Sequence, residues 1–137
     1  MKTIILVEDD PVAVKAYGSE FELEGFGVVV APDGVVALKM LAAMRPDAVV
    51  LDLMMSKSKA ADVLKHIRST PALKTIPVIV LTKAYMTMTS LARQAAEIGA
   101  DRALLKSSCT PGQVIEVIND LLSGEAVESD PSERQAT

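Results

Sequence analysis

The sequence predicts a three-layer α/β sandwich of the (βα)5 type, in which helices cover both faces of a parallel five-stranded sheet. Five short aliphatic runs alternate with five helical stretches along the 137 residues, which is the pattern of such folds. Hydrophobic residues make up 50% of the chain but aromatic residues only 3%, so the core is expected to be aliphatic. The length corresponds to about one domain.

Each predicted strand is a short run rich in Val, Ile, Leu or Ala that is bounded by polar or turn residues. The strands are expected over residues 2–8, 26–31, 47–53, 77–82 and 103–105. The third contains four consecutive apolar residues at 48–51, which is typical of a strand buried on both faces. It ends at Asp52, where a lone carboxylate either caps the following loop or belongs to a site.

The predicted helices follow capping residues or end at Gly or Pro. They are expected over about residues 11–24, 34–45, 60–70, 89–98 and 111–122. Asp10 caps the first helix, Gly25 and Gly99 end the first and the fourth, and Thr110 to Gln113 has capping-box spacing. Candidates for the buried side of the first helix are Val12, Val14, Ala16, Tyr17, Phe21 and Leu23.

Composition and charge narrow the class of protein. The apolar run near the N-terminus is too short for a signal peptide, no stretch is long enough for a membrane span, and Cys109 is the only cysteine. We therefore expect a cytoplasmic protein without membrane contact. Of the net charge of −4, residues 125–137 carry −3, and no basic aromatic surface indicates nucleic-acid binding. We expect a domain over 1–122 and an acidic, disordered tail over 123–137.

Polar residues follow four of the five predicted strands. They are Glu8 and Asp9 after the first strand, Asp52 after the third, Thr82 after the fourth and Lys106 after the fifth. If the strand order is 2-1-3-4-5, the order in which strands are added to the sheet reverses between strands 1 and 3, and ligands bind at such a point. These residues then form one site.

This set of residue types suits phosphoryl transfer. Three close carboxylates repel one another unless a hard cation such as Mg²⁺ lies among them, so Glu8, Asp9 and Asp52 are candidate metal ligands. Lys106 and the Thr82 hydroxyl can contact phosphoryl oxygens, and an Asp carboxylate can be the nucleophile. The residues predict a self-phosphorylating acceptor in which an Asp carboxylate takes the phosphoryl group.

Four fragments, in this order and spacing, resemble the receiver domains of bacterial two-component response regulators, with the chemotaxis-type single-domain receiver as the nearest architecture. They are Ile5-Leu6-Val7-Glu8-Asp9-Asp10, Val50-Leu51-Asp52-Leu53-Met54-Met55, Val80-Leu81-Thr82 and Leu105-Lys106. The resemblance covers about residues 2–122 and implies a flavodoxin-like fold of order 2-1-3-4-5. It also implies that Asp52 is the phosphoacceptor and that the backbone carbonyl of Met54 is a further Mg²⁺ ligand.

The resemblance further implies a sensor histidine kinase or phosphotransfer protein as phosphodonor. Output would pass to a downstream protein through the face formed by the helix over 89–98, the fifth strand and the fifth helix. Such a chain catalyses its own phosphorylation and dephosphorylation, and we expect no separate output enzyme.

The alternative is a pseudo-receiver that binds partners without being phosphorylated. A haloacid-dehalogenase-type phosphatase is disfavoured, because such enzymes have a second acid two residues after the nucleophile, where this chain has Met54. A flavodoxin-like flavin binder is also disfavoured, because the acidic residues Glu8, Asp9 and Asp10 would repel the flavin phosphate.

Departures from the family pattern accompany this resemblance. Ser56 and Ala60 replace the usual Pro and Gly, Lys83 replaces a small residue, and the segment from 82 to 99 is about two residues longer. Lys106 is followed by Ser107 instead of a Pro in a cis peptide, so we expect a trans bond or a strained exception. Ala103 replaces the aromatic switch residue, so output must use another movement.

Overall fold

Five parallel strands form one sheet, as the sequence predicts. The computed structural model describes residues 1–53, 57–82, 93, 96–97 and 99–124. The strands are β1 (Thr3–Val7), β2 (Gly27–Ala31), β3 (Ala48–Asp52), β4 (Val78–Thr82) and β5 (Arg102–Leu105). They lie in the order β2-β1-β3-β4-β5, and all neighbouring pairs are parallel. The predicted flavodoxin-like order 2-1-3-4-5 is confirmed.

Helices cover both faces of this sheet. Those with described bounds are α1 (Pro11–Leu23), α2 (Gly34–Ala43), α3 (Lys57–Ser69) and α4 (Pro111–Leu122). Our α4 is the fifth helix of the sequence prediction, because only Arg93, Ala96 and Glu97 of the predicted helix over 89–98 are described, and these three are helical. No helix in the described part of the chain is long and apolar enough to cross a bilayer. The predicted tail over 123–137 lies outside the described residues beyond Gly124.

Side-chain caps start the first two helices. The Asp10 carboxylate accepts a hydrogen bond from the backbone N–H of Val12 at 3.0 Å, and Asp33 accepts one from Val36 at 2.9 Å. Gly25 follows α1 with a φ of 92°, a left-handed conformation that favours glycine. The predicted starts of α1 and α2 and the stop at Gly25 are therefore confirmed.

Two apolar layers lie on opposite faces of the sheet. Successive side chains of β1 alternate between them, so Ile4 and Leu6 pack against α1 and α4, whereas Ile5 and Val7 pack against α2 and α3. All four side chains are fully buried. We call these the α1/α4 layer and the α2/α3 layer. Because both faces are covered, the strands carry continuous apolar runs instead of alternating ones.

The buried side of α1 differs from the predicted one. Tyr17 and Phe21 are buried as predicted, and the structure adds Ala13 and Gly18 to that side. The prediction was wrong for three residues, which are exposed: Val12, Ala16 and Leu23. The helix has two stripes of apolar residues, and the position of α4 and the sheet decides which stripe is covered.

The start of α3 is a second correction. The sequence predicts that this helix begins at about residue 60, but α3 begins at Lys57. Lysine is a good helix former and serine is tolerated, so nothing in these residues prevents the helix from extending toward its N-terminus. The predicted stop before Pro71 is confirmed, since α3 ends at Ser69.

Arg68, near the end of α3, connects three segments at the amino edge of the sheet. Its Nη1 donates to the carbonyl oxygens of Lys74 at 2.8 Å and Ile76 at 2.9 Å. Its Nε donates to the carbonyl oxygen of Gly99 at 2.6 Å, and its Nη2 to Oδ2 of Asp101 at 2.9 Å. One planar guanidinium thus holds the turn before β4 and the segment before β5 together.

Replacing Arg68 should destabilise the protein more than replacing a neighbouring surface cation. We expect Arg68→Met to lower the free energy of unfolding by about 2 kcal/mol, because three carbonyl oxygens lose a charged donor. Lys65 is exposed and lies one turn earlier in α3, so Lys65→Met should lower the free energy of unfolding by less than about 0.5 kcal/mol. Urea unfolding of both variants measures this difference. Equal losses would contradict the role given to Arg68.

Candidate functional site

The carboxyl ends of β1 and β3 meet near the centre of one edge of the sheet. Glu8 and Asp9 directly follow β1, and Asp52 is the last residue of β3. Because Val7 pairs with Leu51 in the parallel register, Glu8 comes level with Asp52. The two strands continue into helices on opposite faces of the sheet, which makes this edge the topological switch point. The structure thus brings the predicted acidic residues together.

The three carboxylates form a tight group. One oxygen from each of Glu8, Asp9 and Asp52 lies within 4.8 Å of the other two. Glu8 and Asp52 are only 1% and 2% exposed, whereas Asp9 is exposed. Charged carboxylates at this separation destabilise one another and favour protonation unless a cation compensates them.

Lys106 supplies part of that compensation. Its Nζ donates to Oε1 of Glu8 at 2.8 Å and to Oδ2 of Asp52 at 3.1 Å. The Lys106 side chain is itself 11% exposed, so both ion pairs are shielded from water. The sequence predicted Lys106 at this edge but not its contact with Glu8. No pattern in the sequence marks a pair that is 98 residues apart.

The protonation of this group is shifted by its surroundings. Burial raises the pKa of Glu8 from 4.5 to about 7, and the nearby Asp52 carboxylate raises it as well, although Lys106 acts in the opposite direction. Burial lowers the pKa of Lys106, but its hydrogen bonds to Glu8 and Asp52 outweigh that effect, so the pKa is raised. Lys106 therefore keeps its charge at neutral pH, and Glu8 exchanges its proton near neutrality.

The acidic group fits a hard divalent cation. Within the described residues, Oε2 of Glu8 is buried and has no hydrogen-bond partner, so an oxygen that prefers a cation or a donor is left without one. All three candidate ligands offer carboxylate oxygens, the donor type that Mg²⁺ prefers. Met54, the fourth predicted ligand, lies outside the described residues.

Thr82 and Lys106 complete this edge of the sheet. Thr82 ends β4 and is 4% exposed, and it pairs with Leu105, the residue before Lys106. A hydroxyl therefore lies on the strand between the one that carries Asp52 and the one that precedes Lys106. Lys83 falls outside the described residues, and Ala103 is buried in the α2/α3 layer.

The peptide bond that follows Lys106, just after β5, was predicted to be either trans or a strained cis bond. The bond between Lys106 and Ser107 is trans, since the described residues contain no cis peptide. Residues Lys106–Ser108 form a single 3₁₀ turn that leads to Cys109. Of the two expected outcomes, a trans bond and a strained exception, the structure has the first. The lysine thus reaches both carboxylates without a following proline.

Known proteins resemble this chain in sequence and in fold. Residues 4–119 match the family described as the response regulator receiver domain. The response regulator MprA of Mycobacterium avium is 39% identical over 79 residues, which are 58% of this chain and 34% of that protein. The match therefore spans about a third of the length of such curated relatives.

Solved structures agree with this match. The receiver domain of the Francisella response regulator 1452 superposes with a TM-score of 0.78 at 25% identity, covering 90% of this chain and 98% of that one. The response regulator TrrA of Thermotoga maritima, solved in complex with Mg(2+)-BeF, gives 0.74 at 26% identity and covers 88% and 99%. The fold, the arrangement of strand-end residues and the matched sequence lead to one conclusion: this chain belongs to the response regulator receiver domain family.

Proposed function

We propose that this chain accepts a phosphoryl group on Asp52 from a partner histidine kinase or phosphotransfer protein and acts through protein contacts. The observation that carries this proposal is the convergence of Asp52 with Glu8, Asp9 and Lys106 at one edge of a receiver fold. Apart from Asp9, these groups are largely removed from water, where electrostatic interactions act strongly on a transferring phosphoryl group. The roles of the individual residues are part of the proposal.

In this mechanism Asp52 is the nucleophile. A carboxylate oxygen forms a bond to phosphorus while the bond from phosphorus to the donor's leaving atom breaks, and the bonding electrons leave with the donor. Lys106 orients the carboxylate through its contact with Oδ2, which is 3.1 Å away. The Thr82 hydroxyl would donate a hydrogen bond to a phosphoryl oxygen.

Glu8, Asp9 and Asp52 would hold Mg²⁺, with the carbonyl oxygen of Met54 as a further ligand. The bound ion would neutralise the charge of the phosphoryl oxygens. The similar structure of TrrA was solved in complex with Mg(2+)-BeF, which supports a Mg²⁺ ion in this fold. Without the ion, the ammonium group of Lys106 compensates the charge of the two buried carboxylates, Glu8 and Asp52.

Output is proposed to use the face formed by β5, α4 and the predicted helix over 89–98. Ala103 is buried and has no ring, so the signal would pass through Thr82 and Lys106 without an aromatic switch. The single cysteine is in keeping with a reducing compartment, and a cytoplasmic location is part of this proposal. A receiver over residues 1–122 and an acidic tail over 123–137 complete it.

Phosphorylation of Asp52 can be tested by intact mass. After incubation with Mg²⁺ and acetyl phosphate, the wild type should gain one phosphoryl group, and Asp52→Asn should gain none because the amide is a poor nucleophile. Asp62→Asn changes an exposed carboxylate in α3 and should be labelled like the wild type. If the wild type gains no adduct and forms no complex with beryllofluoride, the chain is a pseudo-receiver that only binds partners.

The raised pKa of Glu8 predicts how stability depends on pH without a divalent ion. Between pH 4.5 and about 7 the folded protein holds a proton that the unfolded chain releases, so the contribution of Glu8 is lost as pH rises through this range. Thermal melts in EDTA should show a smaller loss for Glu8→Gln than for the wild type. Glu22→Gln, an exposed change in α1, serves as the control.

Added Mg²⁺ should reverse this loss, because the ion binds the charged form of Glu8. We expect Mg²⁺ to raise the melting temperature of the wild type more at pH 8 than at pH 5.5. Glu8→Gln should respond less at pH 8, and Glu22→Gln should respond like the wild type. A response to Mg²⁺ that is the same at both pH values would exclude Glu8 as a ligand that must lose its proton.

A further inference from the structure

The position of Lys106 depends on backbone that lies outside the sheet. The last pair between β4 and β5 is Thr82 with Leu105, so Lys106 is one residue beyond the ladder. Its Nζ must nevertheless stay within 2.8 Å of Glu8 and 3.1 Å of Asp52. A lysine side chain has four rotatable bonds, and only a fixed backbone makes these two contacts reproducible.

The turn that follows has little to hold it in place by itself. Residues Lys106–Ser108 form one 3₁₀ turn, and Leu105, which precedes it, provides no side-chain cap. Ser107 and Ser108 are exposed, and the peptide between Lys106 and Ser107 is an ordinary trans bond without the rigidity of proline. A single 3₁₀ turn has weak hydrogen-bond geometry. Its shape must therefore be set from its two ends.

The far end of the turn is firmly held. Cys109 has an extended backbone and packs against the α1/α4 layer. Thr110 then starts α4 with a capping box, in which its Oγ1 accepts from the N–H of Gln113 at 3.2 Å and its own N–H donates to Oε1 of Gln113 at 2.8 Å. Without the capping box, the backbone N–H groups of Thr110 and Gln113 would have only water as hydrogen-bond partner.

We propose that the capping box formed by Thr110 and Gln113 positions Lys106 for phosphoryl transfer. Three residues, 107 to 109, separate the lysine from the cap, so loosening of the first turn of α4 is passed directly to the 3₁₀ turn. The acidic ligand candidates lie at the carboxyl ends of β1 and β3, whereas the hydrogen bonds of the cap join Thr110 and Gln113. Breaking the cap should therefore displace the lysine without moving the backbone that carries these carboxylates. The catalytic part of this inference rests on the proposed function.

The experiment compares Thr110→Val with Asp33→Ala. Both changes remove a helix cap, but Asp33 caps α2 after β2 and is not connected to Lys106. At saturating Mg²⁺ and acetyl phosphate, we expect labelling of Thr110→Val to slow by about tenfold or more. Asp33→Ala should be labelled at about the wild-type rate, and Thr110→Ser should restore labelling.

A second measurement does not depend on phosphorylation. Lys106 is 11% exposed, and a displaced lysine should react faster with an amine acetylating reagent, as read by peptide mass spectrometry. We expect faster acetylation of Lys106 in Thr110→Val but not in Asp33→Ala. If Thr110→Val does not fold, Gln113→Leu and the conservative Gln113→Glu form the equivalent pair.

The outcomes separate the two proposals. Unchanged acetylation of Lys106, or equal slowing of labelling in Thr110→Val and Asp33→Ala, would overturn the positioning role of the cap. A wild type that takes no phosphoryl group would instead overturn the proposed function. In that case the acetylation measurement still decides whether the cap positions Lys106.

Discussion

The contact of Lys106 with two buried carboxylates is the interaction on which the site depends. Glu8 and Asp52 are almost fully buried, and removing two charged carboxylates from water carries a large desolvation penalty. Lys106 offsets part of this penalty with two short hydrogen bonds. The three groups come from the ends of three different strands, so the contact exists only when β1, β3 and β5 end at one edge. The raised pKa of Glu8 shows that the compensation is incomplete.

The site and the hydrogen-bond network of Arg68 lie at opposite edges of the sheet. At the carboxyl edge, charged groups interrupt the apolar layers and leave a buried oxygen of Glu8 without a partner among the described residues. At the amino edge, the guanidinium of Arg68 donates to four acceptors, and Oδ2 of Asp101 also accepts from the N–H of Val78 at 2.7 Å. A parallel sheet makes this division possible, because all its strands end on the same side.

Most of the fold could be predicted from local patterns. Aliphatic runs marked the strands, and Asp10 and Thr110 marked helix starts that the structure confirms. The errors share one cause. In α1 the stripe with Val12 and Leu23 is as apolar as the stripe with Tyr17 and Phe21, so periodicity could not tell which one packs against the sheet. The early start of α3 was missed for a similar reason, because its first residues are compatible with a helix but carry no pattern that says where the helix begins.

The sequence by itself determined the fold class, the strand order that the family resemblance implied and the residues that gather at the carboxyl edge. Order along the chain was sufficient, because parallel strands with right-handed crossovers place all strand ends on one side. Only the tertiary structure decided that Lys106 bridges Glu8 and Asp52, that Arg68 joins three segments, and which side of α1 is buried. Contacts of this kind join residues far apart in the chain, and their geometry depends on how whole elements pack against one another.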